Sequence, residues 1–173
     1  MSQSSVEQID NILHPKSIAI VGASNNKGNL GLRFVRGLID SGFKEIYPVN
    51  PHENEMLGLK SYPALADIPG RVDLAIVATP AATVPQVITE CVAKGVLGIV
   101  LFSAGFGEVG DTGREIEREL VRIAHQGSAR IIGPNCVGLY VPSARVAGIP
   151  GLPVEAGPVG VISQSGYLAD SFS

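Results

Sequence analysis

The fold class of this chain is decided by one stretch, SIAIVGASNNKGNLG, at residues 17–31. Residues 17–21 form an unbroken apolar run after one serine, which predicts a strand covered on both faces, as in a parallel sheet. The glycine-rich segment that follows leads into a helix that begins at Leu30 and ends at a glycine stop, Ser41-Gly42. A strand, a glycine loop and a helix in this order predict the first βαβ unit of an α/β fold.

Further along the chain, apolar runs of strand length alternate with segments of helical periodicity. The predicted strands cover residues 45–49, 72–78, 98–102 and 130–132. The predicted helices are a short one at 63–68, one after an N-cap at Thr83, and one that opens with a capping box at 112–115. This alternation predicts an α/β fold with a doubly wound parallel sheet, for which we expect the strand order 3-2-1-4-5.

The composition changes near residue 143. Residues 1–142 form the predicted first domain, and residues 143–158, rich in Pro, Gly and Ala without periodicity, read as a linker. Residues 159–162 and 163–166 then resemble a new strand and the opening of a helix, so residues 159–173 read as the truncated start of a second domain. The alternative is that this tail adds an edge strand and a closing helix to the first domain.

Composition narrows the classes of function. The 173 residues are 45% hydrophobic and 17% charged, and 13 Lys+Arg against 16 Asp+Glu give a net charge of −3, which argues against a nucleic-acid-binding protein. The longest apolar stretch, residues 96–102, is far below the roughly 20 residues of a membrane span. Residues 1–7 lack the pattern of a secretory signal, and two cysteines fit a reducing compartment, so we expect a cytoplasmic protein without a metal site.

The loop after the first strand is the strongest local signal for a binding site. Residues 22–31 present backbone N–H groups and a helix N-terminus to one point, which favours phosphate, and Ser24, Asn25 and Lys27 add polar and cationic donors. The spacing G-x5-G-x2-G matches neither the dinucleotide fingerprint nor a Walker A loop. A plain tight turn between strand and helix is the alternative.

The end of the second strand lacks the acidic residue that usually holds the ribose of NAD. Asn50-Pro51-His52 stands there, and the first carboxylate is Glu53, past a proline. The ligand is therefore expected to carry a phosphate on its ribose, which a protonated His52 would meet. A solvated loop histidine is the alternative.

Three further loops lie at the same edge of the predicted sheet, at 79–81, 103–108 and 133–138. In the expected strand order, Ser24 and Ser103 face one pocket. Cys136 invites interpretation as a nucleophile, but no His or Lys lies near it in sequence, which favours a small packed thiol.

Six motifs in order carry a resemblance to a known family: PKSIAIVGAS (15–24), YPVNP (47–51), ATPA (78–81), SAGF (103–106), GPNCVG (133–138) and SQSG (163–166). The chain resembles the N-terminal CoA-binding domain of NDP-forming acyl-CoA synthetases, the superfamily that includes the succinyl-CoA synthetase alpha subunit. The resemblance covers nearly the whole chain. One departure is His52, which stands where family members often carry a lysine.

The resemblance implies a Rossmann-like domain that holds CoA. The phosphates of CoA are expected at Gly22 to Gly28, its adenosine near 49–52 and 79–81, and its pantetheine toward 103–106 and Asn135. The expected contacts are Gly22, Ala23, Ser24, Asn25, Lys27, Gly28, Asn50, Pro51, His52, Thr79, Pro80, Ala81, Ser103, Ala104, Gly105 and Asn135.

The resemblance also implies the reaction of the complete enzyme: acyl phosphate and CoA give acyl-CoA and phosphate, coupled to ADP and ATP through a phosphohistidine. That histidine belongs to the following ligase domain, which residues 159–173 would begin. We therefore expect no catalytic residue in this piece, and we expect the ligase and ATP-grasp domains, or a subunit that carries them, as partners. A homo-oligomer stays open.

Three other functions stay open at this point. The first is a stand-alone CoA-binding regulatory or carrier protein, and the second is the CoA-binding module of a protein acetyltransferase. The third, an NAD-dependent oxidoreductase, is disfavoured by the missing carboxylate after the second strand.

Overall fold

The computed structural model describes residues 5–171, and the central feature is a five-stranded parallel sheet. The strands are β1 (Ser17–Val21), β2 (Glu45–Val49), β3 (Glu55–Met56), β4 (Leu59–Lys60), β5 (Leu74–Val77), β6 (Gly98–Leu101), β7 (Arg130–Ile132), β8 (Tyr140–Val141) and β9 (Val146–Ala147). The helices are α1 (Ser5–Leu13), α2 (Leu30–Ser41), α3 (Val84–Lys94), α4 (Asp111–Ala124) and α5 (Gly166–Ser171). The α/β, Rossmann-like fold class is confirmed.

The order of the strands differs from the prediction. The central sheet runs β2-β1-β5-β6-β7, so the third long strand lies beside β1 and opposite β2, and the expected order 3-2-1-4-5 is wrong. Pro48 gives the physical reason, because a residue without an N–H suits an edge strand, and Glu45 at the start of β2 is exposed. All four residues of β5 are buried, which suits a central position.

Helices cover both faces of the sheet, and β1 supplies side chains to both. Ala19 and Val21 join the core beneath α3 and α4, whereas Ile18 and Ile20 join the core beneath α1 and α2. The helix α1 had no counterpart among the predicted elements, although its Ile12 is buried in the second core. No helix in residues 5–171 is long and apolar enough to cross a bilayer.

One predicted helix start and one predicted side-chain cap need correction. The helix α4 begins at Asp111 after an N-cap at Gly110, so the capping box at 112–115 does not form. Gly113 explains why: it packs on the carbonyl of Phe106, which fixes the first turn by tertiary contact. Thr83 does precede α3, but its hydroxyl donates to the carbonyl of Pro80 (2.8 Å) and caps no helix amide.

The predicted linker contains folded structure in its first part. The strand β9 pairs with β8 and is buried, and the Ser41 hydroxyl at the end of α2 donates to the carbonyl of Arg145 (2.6 Å). No strand forms at 159–162, where the side chains are exposed because no neighbouring strand pairs with them. The helix expected after Ser163 does form as α5. The domain boundaries themselves stay a prediction.

Candidate ligand-binding site

A cavity of about 990 Å³ lies at the carboxyl ends of the central strands, within the size range of ligand pockets. It is formed by the loops after β1, β2, β5, β6 and β7. Its lining comprises Gly22, Ser24, Asn26, Gly28, Asn29, Leu30, Asn50, His52, Glu53, Ala78, Thr79, Pro80, Phe102, Ser103, Ala104 and Asn135. The adjacency of β1 and β5 puts the cavity at the point where the strand order reverses, the usual ligand site of this fold.

Asn29 organises the loop between β1 and α2. Its side-chain oxygen accepts from the amides of Leu32 (2.9 Å) and Ser24 (3.1 Å), and its amide group donates to the carbonyl of Gly22 (3.2 Å). The bond from the amide of Leu32 caps α2, and the bonds with Ser24 and Gly22 close the loop. Gly22 has φ +91, and a Cβ there would lie 2.7 Å from the carbonyl oxygen of Ala78, so only glycine fits this turn.

Asn50 joins the loop after β2 to the loop after β1. Its amide group donates to the carbonyl of Ala23 (2.6 Å), and its side-chain oxygen accepts from the backbone amide of His52 (2.9 Å). His52 is exposed and lines the cavity. These bonds therefore fix the backbone at His52, the residue expected to meet a ribose phosphate.

Glu53 folds back onto the loop after β1. Its carboxylate accepts from the backbone amide of Asn25 (2.9 Å), the side-chain amide of Asn25 (2.7 Å) and the hydroxyl of Ser24 (3.2 Å). The bonds from Asn25, first the backbone and then the side chain, lower the pKa of Glu53, with smaller contributions from Ser24 and His52. An anionic group thus already occupies three donors, from two of the residues expected to meet phosphate.

The loops after β5, β6 and β7 are joined by hydrogen bonds through Ser103. Its hydroxyl donates to the carbonyl of Thr79 (2.5 Å), and its carbonyl accepts from the amide of Asn135 (3.0 Å). The hydroxyl of Thr79 is buried and has no hydrogen-bond partner among the described residues. A buried polar group without a partner is costly, so a ligand that supplied one would be favoured at this point of the wall.

Glu108 holds the next segment of the loop after β6. Its carboxylate accepts from the amides of Gly105 (2.5 Å) and Phe106 (3.1 Å), and the bond from Gly105 is the largest cause that lowers its pKa. Phe106 is fully buried in the core beneath α4. The segment after Ala104 is therefore anchored by these two bonds and by the buried ring of Phe106.

Ten of the sixteen predicted contact residues line the cavity: Gly22, Ser24, Gly28, Asn50, His52, Thr79, Pro80, Ser103, Ala104 and Asn135. Ser24 and Ser103 share this cavity, as expected from the sequence. Whether these residues contact a ligand stays a prediction.

The other six predicted contacts lie outside the lining: Ala23, Asn25, Lys27, Pro51, Ala81 and Gly105. Ala23 is fully buried behind the loop, and Asn25 is engaged with Glu53. Lys27 and Pro51 are exposed. Ala81 packs against the core and faces Gly105, whose Cβ would lie 3.2 Å from that of Ala81.

Six lining residues were not among the predicted contacts: Asn26, Asn29, Leu30, Glu53, Ala78 and Phe102. Asn29 was recognisable, because Asn before an apolar helical stretch is a common N-cap. Glu53 was not, because the proline at 51 appeared to direct the chain away from the loop.

The two cysteines differ in environment, and neither lines the cavity. Burial raises the pKa of Cys91 to about 12, which makes this thiol inert as a nucleophile. Cys136 is free and half-buried, as expected of a packed thiol. Among residues 5–171 no cluster of three or more side chains suited to a metal ion occurs.

A smaller cavity of about 280 Å³ adjoins the first and shares Leu30 and Phe102 with it. Its remaining lining is Arg33, Phe34, Val137, Gly148, Ile149 and Gly166. The walls are mostly apolar, with Arg33 the charged lining residue.

The sequence model of the CoA binding domain matches residues 16–142, which contain β1 to β8 and every lining residue of the larger cavity. The chain belongs to this CoA-binding domain family. CoA is the ligand that the family assigns to it.

Similar proteins are ADP-forming acyl-CoA synthetases. The chain is 44% identical over 160 residues to the alpha subunit of acetate–CoA ligase [ADP-forming] II of Pyrococcus furiosus, a match over 92% of this chain and 35% of that protein. It is 41% identical to acetate–CoA ligase [ADP-forming] II of Archaeoglobus fulgidus, over 94% of this chain and 25% of that protein.

A solved structure shows the same similarity. The dinucleotide-forming acetyl-coenzyme A synthetase 1 of Ca. Korarchaeum cryptofilum, in complex with phosphate and ADP, superimposes with a TM-score of 0.86 at 41% identity. The match covers 95% of this chain and 35% of that one. The chain thus spans about a quarter to a third of the length of these relatives.

Proposed function

We propose that this chain is the CoA-binding part of an NDP-forming acyl-CoA synthetase, an acid-thiol ligase that makes acyl-CoA and phosphate from acyl phosphate and CoA. The similarity to ADP-forming acetate–CoA ligases over more than nine-tenths of the chain supports the reaction class. The cavity at the sheet's carboxyl edge supports CoA as the substrate held here. No residue of this chain is assigned a catalytic role.

The orphaned hydroxyl of Thr79 is the observation that carries the proposal at the level of atoms. It belongs to a residue of the cavity wall between the loops after β1 and β6, and the described structure supplies no partner for it. A polar ligand in this part of the cavity would remove the cost of the unpaired group. CoA brings such groups along its whole length.

The proposed pose runs across the cavity. The pyrophosphate would lie at Gly28 and the start of α2, where a Cβ on Gly28 would meet no protein atom within 4 Å and the first helix amides have no intrahelical acceptor. The adenosine would lie between His52 and Thr79. The pantetheine would run past Ser103 and Ala104 toward Asn135.

The remaining steps of the reaction are assigned to other parts of the enzyme. We propose that the ligase and ATP-grasp domains, or a subunit that carries them, complete it, and that the CoA-binding domain alone binds CoA without turnover. We further propose a cytoplasmic location, supported by the free thiols of Cys91 and Cys136.

Calorimetric titration with CoA, dephospho-CoA and NAD in parallel tests the proposal. We expect CoA to bind more tightly than dephospho-CoA, because His52 lies on the wall beside the proposed adenosine position, and we expect His52→Ala to remove that preference. Tighter binding of NAD than of CoA would refute the assignment.

Thr79→Val makes the same experiment specific to the site. The variant keeps the shape and removes one hydrogen-bonding group, so CoA should bind about three- to tenfold more weakly. Its melting temperature should stay the same or rise, because an unpaired buried hydroxyl is lost. Thr112→Val, on the exposed first turn of α4, is the matched control and should leave CoA binding unchanged. An unchanged dissociation constant in Thr79→Val would remove this hydroxyl from the site.

A further inference from the structure

The carboxylate of Glu53 takes up hydrogen-bond donors that the sequence pattern assigns to a ligand phosphate. One of its oxygens accepts from both the Asn25 amide (2.9 Å) and the Ser24 hydroxyl (3.2 Å), and the other accepts from the Asn25 side chain (2.7 Å). The side chain of Glu53 also lines the CoA cavity. A negative charge of the protein therefore sits inside the predicted phosphate loop.

Neighbouring donors of the loop are also paired within the protein. The amide of Ser24 donates to Asn29 (3.1 Å), and the amide of Asn26 donates to the Ser24 hydroxyl (3.3 Å). The segment 24–26 thus has its three backbone amides engaged. The amide of Gly28 has no hydrogen-bond partner among the described residues, and Gly28 lines the cavity next to the first residues of α2.

We propose that Glu53 is a specificity-determining residue of the CoA cavity: its carboxylate acts as an internal anion that closes segment 24–26 to ligand phosphate and confines phosphate to Gly28 and the start of α2. The inference rests on the proposed function. A carboxylate and a phosphate oxygen compete for the same N–H and O–H donors, and two anions in one loop repel each other. The lowered pKa of Glu53 is consistent with a group that is ionised while it holds these donors.

The variant Glu53→Gln tests the role of the charge, because glutamine keeps the length and one acceptor oxygen. We expect this variant to bind CoA and inorganic pyrophosphate about threefold more tightly than the unaltered chain, the size of effect typical of one partly exposed charge. Adenosine, which has no phosphate, should bind equally to both. Glu55→Gln is the matched control, since Glu55 is exposed, carries the same charge two residues away and shows no side-chain bond to the loop.

Three outcomes would overturn the inference. Unchanged or weaker binding of both anionic ligands by Glu53→Gln would show that the carboxylate does not oppose phosphate. Weaker binding of adenosine would identify Glu53 as a ribose contact instead. An equal gain in Glu55→Gln would reduce the effect to net charge.

A measurement without ligand separates this inference from the proposed function. Hydrogen exchange at the Asn25 amide should be faster in Glu53→Ala than in the unaltered chain or in Glu55→Gln, because the acceptor is gone. An unchanged exchange rate contradicts the contact and the inference with it. If the unaltered chain binds pyrophosphate but not CoA, the proposed function fails. The pyrophosphate titration of Glu53→Gln would still decide whether Glu53 competes with phosphate.

Discussion

Two asparagine side chains shape the cavity. Asn29 caps α2 and closes the loop after β1, and Asn50 ties that loop to the end of β2. Amides suit this role because each carries both donors and acceptors, so one side chain satisfies several backbone groups at once. Both lie at the cavity wall, so they shape the site and remain able to contact a ligand.

Gly28→Ala tests the phosphate position at the residue scale. Gly28 has φ +86, and a Cβ there points into open space at the cavity. The substitution should cost about 1 kcal/mol of stability through backbone strain, and it should weaken CoA binding about tenfold by crowding the phosphate. Thermal unfolding and calorimetry measure the two effects separately.

Gly58→Ala supplies the matched control. Gly58, in the turn between β3 and β4, has φ +82, also faces open space, and does not line the cavity. It should lose similar stability and keep its affinity for CoA. Equal losses of affinity in the two variants, or none in Gly28→Ala, would rule out a phosphate beside Gly28.

How much of the site can be predicted from sequence differs between the placement of loops and the direction of side chains. Loops that end parallel strands were assigned to one edge correctly, because that follows from the alternation of strands and helices. The direction of individual side chains was not predictable. Asn25 and Lys27 were expected in the cavity, yet Asn25 is held by Glu53 and neither residue lines the cavity, since the local turn rather than residue type decides orientation.

At the scale of elements, the strands, the long helices and the start of α2 were predictable, whereas the start of α4 was not. The helix α2 begins and ends where predicted, with Asn29 as its local start signal and Gly42 as its local stop signal. The start of α4 is set instead by the contact of Gly113 with Phe106. Phe106 precedes Gly113 by seven residues, but their contact is part of the tertiary packing rather than of the helix. Local capping patterns carry no information about such contacts.

Glu108 makes the loop after β6 sensitive to acid. Its folded-state pKa is lowered, chiefly by the bond from the Gly105 amide, so its contribution to stability is present above the usual glutamate range. It is lost as the pH falls through the lowered pKa. Glu108→Gln should therefore reduce the melting temperature by about 2 °C near neutral pH, with the difference shrinking toward acidic pH.

The control for Glu108 is Glu115→Gln, an exposed carboxylate on α4 without a side-chain hydrogen bond in the described structure. Its melting curve should follow that of the unaltered chain over the same pH range. A difference between Glu108→Gln and the unaltered chain that stays constant with pH would contradict the ionic origin of the effect.

At the scale of the whole molecule, the order of strands could not be predicted from the alternation of strands and helices, because this alternation fits several doubly wound topologies. Pro48 is the residue that indicates the order, since it favours an edge position for β2 and leaves the other side of β1 to β5. The error in order does not change the edge of the sheet at which the site is predicted, because the carboxyl ends of all parallel strands face the same edge.

The C-terminal part of the chain divides into a packed and an exposed section. Residues 140–149 cover α2: Val146 and Ala147 are buried, Gly148 contacts the ring of Phe34, and Ser41 bonds the carbonyl of Arg145. Residues 155–165 are exposed throughout. The family match, which ends at residue 142, therefore stops short of the structural unit.

Two truncations test this division. A chain of residues 1–154 should melt within about 2 °C of the unaltered chain and bind CoA with equal affinity, because no lining residue of the larger cavity lies beyond Asn135. A chain of residues 1–139 should melt at least ~5 °C lower, because it uncovers the apolar face of α2 on which Val146 packs. Calorimetric melting and CoA titration of both chains measure the two effects. Equal melting temperatures of the two truncated chains would show that β8 and β9 add nothing to the domain, and a loss of CoA affinity in residues 1–154 would place part of the binding site in the exposed tail.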